Sequence, residues 1–188
     1  MWNLKLNYVG IVGAIVAFVS LALPWWVMNF SGSFLGTSVS GQATVNLYQA
    51  SASAMGTSVP ISLNLWYGWT ALAFVVIGAL LSLAGSIITR RRKAFLAAGG
   101  VLVLLSIIVF AVGLQNQISS GSLSTGFPNV SLFSSGSFSY SSVTVNYSTY
   151  LTFGFWLALV AAIIMFVAIV IKSPYEMPPP EPSPAPPT

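Results

Sequence analysis

Ser86-Ile87-Ile88-Thr89-Arg90-Arg91-Arg92-Lys93-Ala94-Phe95-Leu96 joins two long apolar runs through four consecutive cations. A hydrocarbon core of roughly 30 Å takes about 20 apolar residues per helical crossing. The runs on either side of this hinge, over 69–89 and 94–114, supply that length. They are expected to form a helical hairpin with its basic tip in the cytoplasm, because Lys and Arg accumulate in cytoplasmic loops.

Working outward, the two remaining cations, Lys5 and Lys172, flank a further pair of apolar runs, over 8–27 and 151–171. Two crossings separate each of them from the central basic hinge. Lys5, Arg90, Arg91, Arg92, Lys93 and Lys172 therefore all fall on one side, which predicts cytoplasmic termini and two outer loops, 28–65 and 115–150. The expected fold is an all-α transmembrane four-helix bundle carrying a small extracellular β-rich subdomain built from those loops. Residues 1–173 would form the membrane domain and 174–188 a Pro-rich cytoplasmic tail.

Composition agrees with an integral membrane protein. Of the 188 residues 56% are hydrophobic and only 4% charged, and the mean hydropathy is +0.88, values incompatible with an ordinary soluble surface. The net charge of +4 is concentrated at the membrane boundary, where topology explains it and no nucleic-acid partner is implied. Aromatic residues mark the outer ends of the runs: Trp25, Trp26, Trp66, Tyr67, Trp69, Tyr150, Phe153, Phe155 and Trp156 suit the headgroup level. The first run also has the polarity of a signal peptide, but it ends in Leu23-Pro24-Trp25-Trp26 with no small-x-small cleavage pattern, so it is read as a retained helix.

The outer loops contain no charged residue. Val59, Ile61, Leu63 and Leu65 alternate with polar or Pro positions, and so do Val143, Val145 and Tyr147, with weaker alternation over 44–48 and 138–140. Period-two patterning with β-branched and aromatic residues predicts short antiparallel strands. Ser31 to Gly36 and Ser119 to Gly126 are expected to be turns. Three Asn-x-Ser sequons, at Asn29, Asn129 and Asn146, fall in these loops and are candidate N-glycosylation sites. The missing charge fits either a strongly acidic exterior or a surface covered by a partner.

Absent residue types bound the chemistry. Cys and His are both missing, which removes disulfides, thiol chemistry and imidazole ligands. The two carboxylates, Glu176 and Glu181, lie in the tail. No acid/base pair or metal site can be assembled from these, so the chain is expected to be non-enzymatic, with no catalytic, cofactor or metal residue. The spans hold no ionisable group of the kind that coupled transport uses. Ser20, Thr70, Ser82, Ser86, Ser106 and Thr152 are the hydroxyls from which an oligomeric passive channel would be lined.

Small residues recur at four-residue spacing. Gly78, Ser82 and Ser86 mark one helix, Gly154, Ala158 and Ala162 another, and Gly10, Gly13, Ala14 and Ala17 a third. Such stripes let backbones approach closely in lipid. The tail from Pro178 to Pro187 favours polyproline II and offers a P-x-x-P segment, Pro179 to Pro182, to a cytoplasmic partner. Tyr67-Gly68-Trp69 and Phe153-Gly154-Phe155 open the second and fourth runs alike, consistent with two pseudo-symmetric halves.

This layout resembles claudin-like and other tetraspan membrane proteins: four spans, inner termini, a short basic inner loop, β-forming outer loops and an exposed tail. The claudin pattern of a Gly-Leu-Trp triplet followed by two cysteines is represented only by Asn64-Leu65-Trp66. The resemblance implies an outer sheet that mediates lateral or cell-to-cell association. The functional expectation is thus a multi-pass structural protein of the cell membrane, or in one variant of a virion envelope, that contacts lipid, other membrane proteins or copies of itself. The alternatives are an accessory subunit of a larger respiratory or transport complex, and the passive channel.

Overall fold

In a computed structural model, the residues described are 6–34, 37–54, 56–88, 91–121, 129–140 and 143–171. Lys5, Arg90, Lys172 and the Pro-rich tail lie outside them.

Among these residues there are four helices, α1 (Tyr8–Leu21), α2 (Trp66–Ile87), α3 (Arg92–Ser119) and α4 (Phe153–Val170), and six strands. β1 (Trp26–Phe34), β2 (Thr37–Val45), β3 (Ala50–Ala54) and β4 (Thr57–Ile61) precede α2, while β5 (Ser134–Tyr140) and β6 (Val143–Leu151) lie between α3 and α4. All six strands form one antiparallel sheet in the order β4-β3-β2-β1-β6-β5. This overturns the expected all-α four-helix bundle with a small β appendage: strand and helix both build the fold. The two loops expected outside are not separate decorations, because β1 of the first pairs along most of its length with β6 of the second.

The first span also differs from expectation. α1 has 14 residues, about 21 Å at 1.5 Å per residue, and stops where Leu23-Pro24 turns the chain; a proline disfavours helix both at itself and at the residue before it. Trp26, expected near a helix end, begins β1. Three helices, α2, α3 and α4, are long and apolar enough to cross a membrane. α3 runs through Ser119, so residues 115–119 of the expected outer loop are helical.

The helices pack in a ring, α1 against α2 and α4, and α3 against α2 and α4. Asn7 caps α1, its side chain accepting from the Gly10 amide at 3.2 Å. Its Nδ2 donates to the Ala168 carbonyl of α4 (2.9 Å) and its backbone amide to the Ser86 carbonyl of α2 (3.0 Å). The start of α1 therefore lies with the ends of α2 and α4, and with Arg91, Arg92 and Lys93 at the start of α3. The sheet rises from the opposite end.

Lipid offers no hydrophobic drive for helices to associate, so close contact depends on small residues. A Cβ at Gly78 would meet the Gly99 carbonyl oxygen at 2.8 Å, and one at Gly99 would meet the Gly78 oxygen at 2.6 Å. α2 and α3 thus touch backbone to backbone. The outward faces stay apolar, with Val12, Ile15, Ile77, Leu80, Ile108, Val112, Ile163 and Val167 all exposed.

Candidate functional site on the outer sheet

A buried turn ties the sheet to the helices. Pro24 accepts at its carbonyl from the Gly154 amide (3.0 Å) and from the Thr152 hydroxyl. Trp25 exchanges main-chain bonds with both neighbouring loops, its N–H donating to Val45 (3.1 Å) and its carbonyl accepting from Thr152 (3.0 Å). Its indole N–H donates back to the Ser20 carbonyl at 3.0 Å. The ring sits edge to face against Phe110 and Phe155, and Tyr67 packs on Phe110 in the same way.

Trp25, Tyr67 and Phe110 have no exposed surface and Phe155 is 8% exposed. The aromatic residues expected at headgroup level thus divide. Trp66, Trp69, Tyr150, Phe153 and Trp156 are outward-facing, while Trp25, Trp26, Tyr67 and Phe155 plug the mouth of the helices.

Register sorts the sheet into two faces of opposite character. Strand residues alternate sides, and the pairings put Trp26, Met28, Phe30 and Gly32 of β1 on the same face as Val45, Ala43, Gly41 and Val39 of β2. Leu151, Thr149, Tyr147 and Val145 of β6 continue that face. Near the helices it is buried; farther out it opens, with Val59 of β4 57% exposed. One cross-strand row reads Gly41, Phe30, Tyr147, Gly136. A Cβ at Gly41 would run into the Phe30 ring and one at Gly136 into the Tyr147 ring, so each aromatic covers the glycine beside it.

The other face is hydroxyl and carboxamide almost throughout. Asn29, Ser31 and Ser33 of β1 lie beside Gln42, Ser40 and Ser38 of β2, and beside Ser148, Asn146 and Thr144 of β6. A groove of about 690 Å³ opens on this face, lined by Asn29, Ser31, Ser40, Gln42, Ser53, Gly56, Asn146 and Ser148, and between these by Ala54, Gly41, Phe30 and Tyr147, the row whose side chains belong to the apolar face. Within it Gln42 Nε2 donates to Asn29 Oδ1 (2.9 Å), and Asn29 Nδ2 donates to the Tyr150 hydroxyl (3.1 Å). No Asp, Glu, His, Lys or Arg lies in either loop.

The three sequon asparagines have distinct settings. Asn29 sits mid-strand with its amide engaged on both atoms. Asn146 is exposed on β6, opposite Ser31 and Ser137. Asn129 is exposed in a turn with φ of 57°, a left-handed conformation that Asn tolerates better than most residues.

The small-residue stripes are buried among the helices. Gly78 faces α3, while Ser82 Oγ donates to the Gly10 carbonyl of α1 (2.9 Å). Ser86 bonds back to Ser82. Gly154 faces the Leu23-Pro24-Trp25 turn, and Ala158 and Ala162 are fully buried. Ser20 and Ser106 bond to carbonyls of their own helices, as does Thr70.

Sequence reading located the loops and their strand character but not the polar groove. Ser31, expected in a turn from Ser31 to Gly36, lies in β1, which continues through Phe34; Ser40, Gln42, Ser53 and Ser148 carried no individual expectation. The available signal was their spacing: period two holds for the polar positions as well as the apolar ones.

No protein-family model matches this chain, and no curated protein matches it.

Proposed function

We propose that this is a non-enzymatic, multi-pass protein of the cell membrane whose outer sheet makes protein–protein contacts, with the termini and the Arg90 to Lys93 hinge cytoplasmic. The observation that carries this reading is the outer sheet itself. Six strands from two separate loops form one platform without a disulfide, tied to the helices at Trp25. Its apolar face extends past the helices, leaving Val59 and Ala54 exposed and Val39 and Val145 half-buried. Such a strip, unbroken by charge, suits a partner whose own surface is apolar.

The placement of Arg91, Arg92 and Lys93 at the end opposite the sheet supports the orientation. The claudin-like resemblance, topological only, supports association as the kind of activity. The hydroxyls weigh against the channel reading: Ser20, Ser82, Ser86 and Ser106 are buried and bonded within one copy, and so are not displayed for a pore between copies.

The test is native mass spectrometry of the protein extracted in mild detergent from its own membrane, alongside Val59→Asp. Companions or extra copies at fixed stoichiometry, lost on the substitution, support sheet-mediated contact. A lone protomer, or an assembly indifferent to Val59→Asp, removes it; co-purified cofactor-bearing subunits indifferent to that change point to the accessory-subunit alternative.

A further inference from the structure

We propose that the groove on the polar face of the sheet binds a neutral oligosaccharide. This goes beyond protein contact through the apolar strip, and it rests on the opposite face.

The groove has the size and shape for such a ligand. A volume of about 690 Å³ lies within the roughly 300–1,000 Å³ range of small-molecule sites. The lining runs from Asn146 and Ser148 on β6, across β1 and β2, to Ser53 on β3. Three interstrand steps of about 4.8 Å make a trough of roughly 14 Å, longer than a single sugar ring.

The chemistry of the lining favours a sugar over a protein. A protein partner is held mainly by a few buried Trp, Tyr or Arg anchors; the groove lining holds neither Trp nor Arg, and its one tyrosine, Tyr147, belongs to the row whose side chains point to the opposite face. Phosphate, sulfate and carboxylate ligands call for cations, and no cation lies in either outer loop. Paired hydroxyls of a neutral sugar need donors and acceptors side by side, which a carboxamide supplies on one planar group.

The polar groups are also preorganised. Asn29 accepts from Gln42 and donates to Tyr150, so Gln42 is held in place with its Oε1 left to accept from a ligand. Asn146, exposed across the groove, offers a second carboxamide, and serine hydroxyls lie between them. Tyr150, 40% exposed and next to Asn29 on this face, adds a ring against which the apolar side of a sugar can pack.

The experiment uses the full chain in nanodiscs, produced in a host that adds no N-glycans. Calorimetry is run against cellohexaose, mannohexaose, maltohexaose and chitohexaose, with a hexauronate as the charged control. Binding of at least one neutral hexasaccharide is expected, with the hexauronate at least tenfold weaker. Gln42→Ala combined with Asn146→Ala should weaken binding tenfold or more at an unchanged thermal midpoint. Should that pair unfold the sheet, Ser40→Trp, which fills the groove from an exposed position, gives the same reading. Absence of binding by every neutral probe at about 5 mM, or binding that survives the folded groove variants, overturns the proposal. Neither result bears on Val59→Asp, so this site and the contact strip fail independently.

Discussion

Trp25 and Phe110 meet edge to face, with ring centroids 5.0 Å apart and planes inclined at 64°. Both are fully buried. One comes from the turn between α1 and β1 and the other from α3, so this contact joins the root of the sheet to a helix that contributes no strand at that point. Aromatic pairs of this geometry add about 0.5–1.5 kcal/mol beyond their area burial. Trp25→Ala is expected to cost about 3–5 kcal/mol, the range for large aromatic truncations. Thermal unfolding in detergent should show a large fall in midpoint, with Trp25→Phe less severe.

At the crossing of α2 and α3, a side chain on either Gly78 or Gly99 must push the helix backbones apart. Gly99→Val should abolish a monodisperse peak in size-exclusion chromatography. Val101→Ala, two residues along on the outward side of the same helix, should leave the peak unchanged.

The row formed by Gly41, Phe30, Tyr147 and Gly136 predicts unequal tolerance at consecutive positions of β2. Gly41→Val drives a branched side chain into the Phe30 ring and should lower stability by about 1–3 kcal/mol, the usual penalty for overpacking. Ser40→Val, one residue away on the polar face, should change the midpoint little.

Glycan acceptance should follow local geometry. In a glycosylating host, Asn129→Gln is expected to remove a mobility shift on denaturing gels, because Asn129 is exposed in a turn. Asn29→Gln should leave the glycan pattern unchanged, since that amide is bonded on both atoms within the sheet. Retention of the shift in Asn129→Gln would assign the acceptor to Asn146.

Orientation is checked by single cysteines on this cysteine-free background. A membrane-impermeant maleimide applied to intact cells should label Ser137→Cys and not Lys93→Cys, with the second labelled only after permeabilisation. Outer labelling of Lys93→Cys would reverse the topology.

The helices were legible in the sequence because burial in lipid demands long apolar runs, and the bounds of α2, α3 and α4 fall within about five residues of expectation. The end of α1 was written in Leu23-Pro24, but the apolar Trp25-Trp26-Val27 beyond it extended the apparent span. β6 announced itself through Val143, Val145 and Tyr147; of the alternation expected from Val59 to Leu65, only Val59 and Ile61 fall in β4, and 62–65 are not strand. β3, Ala50-Ser51-Ala52-Ser53-Ala54, has little intrinsic strand preference and is a strand because β2 and β4 flank it. The groove was hidden for a similar reason. Only register brings Asn29 opposite Gln42 and sets Asn146, from the second loop, beside them in the neighbouring row opposite Ser31.

The pairing of β1 with both β2 and β6 sets an order of events during synthesis. β1 to β4 leave the ribosome first, and both α2 and α3 must follow before β6 exists. Through that interval one flank of β1 stays open, without a charged side chain to deter wrong pairing. The aromatic plug can close only once α4 delivers Phe155 to Trp25. Maturation of the outer sheet is thereby coupled to insertion of the last helix, and a chain that stalls after α3 presents a bare, sticky edge to quality control.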